Sequence, residues 1–129
     1  MKPRHGLLLF AHGARDVSWA RPFQAVASML ADDAERPVAL AYLELMQPDL
    51  ATAGAELVAL GCEAITVVPL FLGTGGHVKR DLPKLLDELR ARHAGTRWRL
   101  APAIGEAPLV IAAMAEVARE AAAASDNTA

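Results

Sequence analysis

Four apolar runs of strand length alternate along the chain with four segments whose apolar residues recur at helical spacing. Gly6 to Ala11 is apolar at every position, the pattern of a strand buried on both faces. Pro37 to Glu44 and Ala64 to Leu72 are the second and third runs. Arg97 to Ala101 instead alternates charge with bulk, which predicts a half-exposed edge strand. Between the runs, Trp19, Phe23, Val26 and Leu30 share one helical face, with Ser18 as the expected N-cap and Pro22 in the first turn. Pro48 and Gly61 bracket a second helix whose inward stripe is Leu50, Leu57 and Leu60. Asp81 is the expected cap of a third helix, carrying Leu82, Leu85, Leu86 and Leu89. The fourth spans about Pro108 to Ala122 and turns Val110, Met114 and Val117 inward.

Strand and helix in strict alternation, with buried central strands, predict an α/β fold of three layers. Right-handed crossovers favour a flavodoxin-like, four-stranded parallel sheet of order 2-1-3-4, covered on both faces. The length of 129 residues fits one domain over 1–122, followed by a tail at 123–129 that lacks an apolar anchor and is expected to fray.

Composition narrows the function. An apolar fraction of 53% excludes disorder for the bulk of the chain. Thirteen Lys and Arg against 15 Asp and Glu leave a formal charge of −2, so no nucleic-acid partner is expected. The cluster Arg90 to Arg99 reads as solvated surface. A single cysteine, Cys62, excludes a disulfide framework and a thiolate-rich metal site, and its setting suits a small buried hydrophobe. No segment approaches the ~18 apolar residues of a membrane span, and the first apolar run is short for a signal peptide, so a cytoplasmic protein is expected.

In an open parallel sheet, sites form outside the carboxyl ends of the strands. Three polar residues fall there: His12 in LLLFAHGARD, Glu44 in ALAYLELMQP and His77 in VVPLFLGTGGHVKRDLP. With order 2-1-3 their strands are adjacent. Two neutral imidazoles and a carboxylate suit a divalent first-row metal, or proton transfer near neutral pH. A lone histidine is ordinarily a satisfied surface or core residue, and His5 and His93 are read that way. The loop Gly73-Thr74-Gly75-Gly76 matches neither the Rossmann nor the Walker pattern; it reads equally as an anion cradle and as a turn needing positive φ. Arg15, Lys79 and Arg80 lie near the same rim, with Phe71, Leu72 and Met46 as an apolar wall. Together these describe a site where a flat polyanionic ligand meets a metal.

HGARD after a buried strand, Glu44 before a Gln-Pro pair, and PLFLGTGGHVKRDLP resemble the small CbiX-type sirohydrochlorin chelatases, among the class II tetrapyrrole chelatases. The resemblance spans roughly Leu7 to Pro108. It implies a flavodoxin-like half-chelatase working as a homodimer, with His12 and His77 as the paired histidines and metal ligands and Glu44 as their acidic partner. The implied reaction is ATP-independent insertion of a divalent metal, Co²⁺ before Fe²⁺ or Ni²⁺, into sirohydrochlorin, a lyase step toward cobalamin- or sirohaem-type tetrapyrroles. The metal is then a substrate, and no permanently bound cofactor is expected. Arg15, Lys79, Arg80 and the glycine loop would hold the ring's carboxylates. Two departures stand out: Ala14 occupies a place where the family often has a hydroxyl, and no histidine-rich tail or loop is present. The competing readings are a metal or tetrapyrrole carrier using the same groups and, more remotely, a histidine phosphatase, which would want arginine at Ala11.

Overall fold

The apolar run at the start of the chain forms the centre of the sheet. β1 (His5–Ala11) pairs in parallel with β2 (Val38–Tyr42) on one side and β3 (Ala64–Pro69) on the other, and β4 (Arg97–Leu100) closes the order β2-β1-β3-β4. This computed structural model describes residues 4–32, 36–73 and 75–127. The parallel sheet and its strand order are those expected from the sequence, with β2 and β3 ending earlier than their apolar runs.

Alternate side chains divide the sheet into two faces. On one, Leu8, Phe10, Ile65, Val67 and Trp98 meet α2 (Leu50–Ala59) and α3 (Gly76–Arg92), which contribute Leu50, Ala53, Leu57, Leu82, Leu86 and Leu89. Gly54 lets α2 approach closely, since a Cβ there would sit 3.0 Å from the Trp98 ring. Cys62 is buried in the same core, and burial raises its thiol pKa. On the opposite face, α1 (Arg21–Asp32) and the 3-10 turn Val17–Ala20 cover only the β1–β2 half, through Trp19, Ala20 and Phe23 against Ala11, Leu40 and Tyr42.

Several local expectations change. Asp16, not Ser18, caps the first helical turn: its carboxylate accepts from the Ser18 backbone N–H at 2.9 Å and the Ser18 hydroxyl at 2.7 Å, which holds its pKa low. Val26 lies on an exposed flank of α1, and Leu60 sits solvent-facing at the C-cap of α2. Asp81 is interior to α3, because the helix already starts at Gly76 with the Lys79 N–H donating to the Gly75 carbonyl, and Pro83 is carried inside it.

The largest difference is α4 (Pro108–Asn127). Its backbone stays helical into the stretch expected as a tail, and it does not lie on the sheet. Met114 and Val117, expected to face inward, are 44% and 64% exposed. The second face of the sheet is therefore covered over its β1–β2 half and not, as expected, over its whole width.

Candidate active site

His12 follows β1 directly, and Glu44 follows β2 by two residues. The two are brought together because the ladder continues past the strands. The Leu43 N–H donates to the Ala11 carbonyl at 2.9 Å, and the Glu44 N–H to the His12 carbonyl at 3.1 Å. Their side chains then meet, with Nε2 of His12 3.2 Å from Oε1 of Glu44. Both remain about half exposed, at 49% and 56%. Beneath them the buried Phe71 ring stands edge-on to the imidazole, with centroids 6.0 Å apart, and packs in turn on Phe10.

Two backbone features fix the pair. Gly13 has φ of 95° and lies so close to the Glu44 carbonyl that no Cβ fits there. After Glu44 the chain makes a γ-turn: the Met46 N–H donates to the Glu44 carbonyl at 2.8 Å, with Leu45 between them at φ 65°. A leucine in the left-handed region costs about 1–2 kcal/mol. That strain sits beside the acid and leaves the Leu45 side chain exposed at the rim. The glycine of the His-Gly pair could have been singled out from the sequence. Leu45 offers no signal, because leucine is a poor choice for positive φ.

The third strand contributes by another route. Its chain leaves β3 through Leu70 to Gly73 and enters α3, whose second residue is His77. The side chain of His77, and all of Thr74, lie outside the described residues. Among the described residues no three His, Cys, Asp or Glu side chains cluster; His12 and Glu44 are the two metal-capable groups brought together there.

Gly73, Gly75 and Gly76 do not take positive φ, and a Cβ on any of them would meet open space. The reading as a turn that requires left-handed glycine is therefore set aside. What the glycines do here is leave the backbone uncovered at the start of α3, where, among the described residues, no side chain caps the helix. Lys79 and Arg80 are exposed in the following turn, and Arg80 folds back to donate from Nε to the Gly76 carbonyl at 3.1 Å. Arg15 is exposed after β1. Leu72 is exposed, whereas Met46 packs into the α1-side cluster and Phe71 is buried under His12. These last two support the rim instead of forming its outer wall. Gly105, missed in the sequence, pins the loop from behind: its N–H donates to the Phe71 carbonyl at 2.9 Å, and a side chain there would strike the Leu72 backbone.

Residues 6–121 match the CbiX family. A sirohydrochlorin cobaltochelatase of Methanothermobacter thermautotrophicus is 36% identical over 85 residues, covering 66% of this chain and 59% of that protein. One from Sulfurisphaera tokodaii is 33% identical over 101 residues, covering 78% of this chain and 80% of that one. Among solved structures, a CbiX protein from Marinobacter aquaeolei VT8, named for cobalamin (vitamin B12) biosynthesis, superposes with a TM-score of 0.80 at 38% identity, over 90% of this chain and 95% of that chain. The sirohydrochlorin chelatase SirB from Bacillus subtilis subspecies spizizenii, in complex with cobalt, gives 0.70 at 27% identity, over 78% of this chain and 44% of that longer one. Both the match along nearly the whole chain and the shared sheet place it the same way: the chain belongs to the CbiX family.

Proposed function

We propose that this chain inserts a divalent metal into sirohydrochlorin without ATP, with cobalt as the first choice of metal. The observation that carries the reading is the half-exposed His12–Glu44 pair at the carboxyl end of the sheet. Relatives named sirohydrochlorin cobaltochelatase support the substrate and the metal.

The reaction exchanges one M²⁺ for two pyrrolic protons, which leave the macrocycle as the metal enters. When Nε2–H of His12 donates to the Glu44 carboxylate, Nδ1 keeps the lone pair, which is free to take a metal ion or a proton. A carboxylate behind a histidine fixes the tautomer and the orientation of that imidazole. Once the imidazole is charged, Glu44 stabilises it and, being half exposed, hands the proton on to water. Nitrogen and oxygen donors without thiolate bind the ion weakly enough to release it to the ring. His77 is the second imidazole in this reading. Arg15, Lys79, Arg80 and the uncovered glycine backbone hold the ring's carboxylates, with Leu45 and Leu72 against its apolar surface. The metal arrives as a substrate, no resident cofactor takes part, and the working unit contains two copies of the chain.

The test is an anaerobic absorbance assay with sirohydrochlorin and Co²⁺, Fe²⁺ or Ni²⁺ in turn. Many turnovers per chain are expected, fastest with cobalt. His12→Ala and Glu44→Gln are expected to slow insertion by about 10²–10⁴-fold, the usual worth of an acid–base group. Transfer that stops at one metal per chain makes the protein a carrier, and an unchanged rate in His12→Ala removes the assigned role.

A further inference from the structure

Among the described residues, three hold the backbone at positive φ: Gly13 at 95°, Gly61 at 90° and Leu45 at 65°. Glycine takes that conformation freely, whereas the Cβ of leucine crowds the neighbouring carbonyl. An exposed leucine alone is ordinary on a protein surface. An exposed leucine at positive φ is a different matter. The Leu45 side chain is 60% exposed, so it buries too little within its own chain to offset the strain of its backbone.

The residues around it keep the turn from relaxing. On one side the Glu44 N–H is tied to the His12 carbonyl, and on the other Met46 packs against the Ala11, Ala20 and Tyr42 cluster. The Tyr42 N–H donates to the Pro48 carbonyl at 2.9 Å and staples the base of the loop. A second exposed leucine mirrors the first. Leu45 stands three residues beyond β2, and Leu72, three beyond β3, is 69% exposed. β1 lies between those strands and leads into His12, so the two leucines follow strands on either side of the imidazole. Two strand spacings, about 10 Å, separate β2 from β3. Leu72 is held as firmly as Leu45: its backbone lies against Gly105, whose N–H donates to the Phe71 carbonyl at 2.9 Å.

We infer that Leu45 is a specificity-determining residue: its side chain is an apolar jaw that holds the substrate's ring over the His12–Glu44 pair, opposite Leu72, and the chain gives up folding stability to place it there. The occupant is the flat macrocycle proposed above as substrate, and the inference rests on that reading. Arg15, Lys79 and Arg80 attract any polyanion. Leu45 and Leu72 separate a polyanion with an apolar ring from one without, because only the ring covers both side chains. A side chain already fixed in place loses little freedom on binding, so the stiff turn converts strain in the free protein into a tighter hold on the ligand. A group of this kind acts on ring affinity and leaves proton transfer alone, so it is read in KM and not in kcat.

The test titrates the full chain with metal-free sirohydrochlorin, followed by ring absorbance, beside urea unfolding and the insertion assay. Leu45→Gly and Leu45→Asn both suit positive φ, so their urea midpoints are expected at or above the parent's. Both should bind the ring about 3–10-fold more weakly, the worth of part of one leucine side chain, with KM raised alike and kcat unchanged. Leu45→Met keeps an apolar side chain and is expected to recover ring affinity without raising the midpoint. Parental ring binding in Leu45→Gly and Leu45→Asn overturns the inference, as do midpoints below the parent's or a Leu45→Met variant as weak as Leu45→Gly. A fall in kcat at unchanged KM overturns it too, making the turn a positioning device for Glu44, and so does a parent chain that binds no ring. The two readings fail separately. Leu45-dependent ring binding without turnover removes the chelatase and keeps the jaw, whereas turnover with Leu45-independent binding does the reverse.

Discussion

On the face of the sheet that carries α2 and α3, Leu8, Phe10, Ile65, Val67 and Leu86 are at most 1% exposed, whereas on the α1 face no residue of α1 is fully buried and Leu7 and Val68 belong to no cluster. One face is a finished core; the other is finished over half its width. The contrast shows where folding free energy is concentrated. It also shows why the carboxyl-end rim can tolerate a strained leucine and half-exposed charges: it is mounted on the sealed side through Phe71 and Phe10.

The sharpest way to break this contrast is to cut a side chain on each face. Leu57→Ala removes a side chain that is 1% exposed and is expected to cost about 2–5 kcal/mol in urea unfolding. Val17→Ala, at an exposed site on the α1 side, is expected to stay within about 0.5 kcal/mol. Equal losses would erase the distinction. Next in size, Gly13→Ala forces a Cβ toward the Glu44 carbonyl at a positive φ and is expected to cost about 1–3 kcal/mol. It should also displace Glu44, so insertion and stability should fall together; a fully active, unstrained variant would show that the turn does not hold the pair.

A smaller effect is expected at Asp49, which caps α2 by accepting the Thr52 N–H at 2.8 Å. That bond, with lesser help from the Thr52 side chain and Arg92, holds the Asp49 carboxyl below its usual range. Asp49→Ala should cost about 1 kcal/mol at neutral pH. Because the folded value is the lowered one, the cap's contribution is present above the unfolded carboxylate value of about 3.9 and is lost as pH falls through the folded value. The gap between parent and variant should therefore narrow on acidification below about pH 4, and a gap independent of pH would remove the carboxylate from the explanation. Smallest of all, Gly73→Ala adds a methyl facing open space and should leave unfolding within about 0.5 kcal/mol. Any rise it causes in the sirohydrochlorin KM then reports crowding at the bared backbone, a sharper measure of the rim than of the core.

Much of the fold was legible because burial imposes a period. The unbroken apolar run of β1 announced a central strand, and alternation at Arg97 to Leu100 announced an edge. Crossover handedness then left one strand order. What periodicity does not say is which neighbour an apolar stripe meets, so Met114 and Val117 were assigned inward although both are exposed, while Val110 nearer the root of the helix is partly buried. Capping was off by two residues at Asp16 because Ser18 and Asp16 are both good caps, and only geometry shows Ser18 serving as a donor to Asp16. The site divided in the same way. His12 and Glu44 were visible as polar residues ending apolar runs, whereas the γ-turn at Leu45 and the clamp at Gly105 arise from tertiary contact and leave no local pattern.

The Gly105 clamp joins two otherwise distant jobs. One side of it holds the loop that shelters the imidazole; the other is the root from which the last helix projects. A load on Leu72 and a load on that root would therefore act on one lever. Thermodynamic reciprocity then requires that whatever factor occupancy of the rim contributes to binding at that root, binding there returns to the rim.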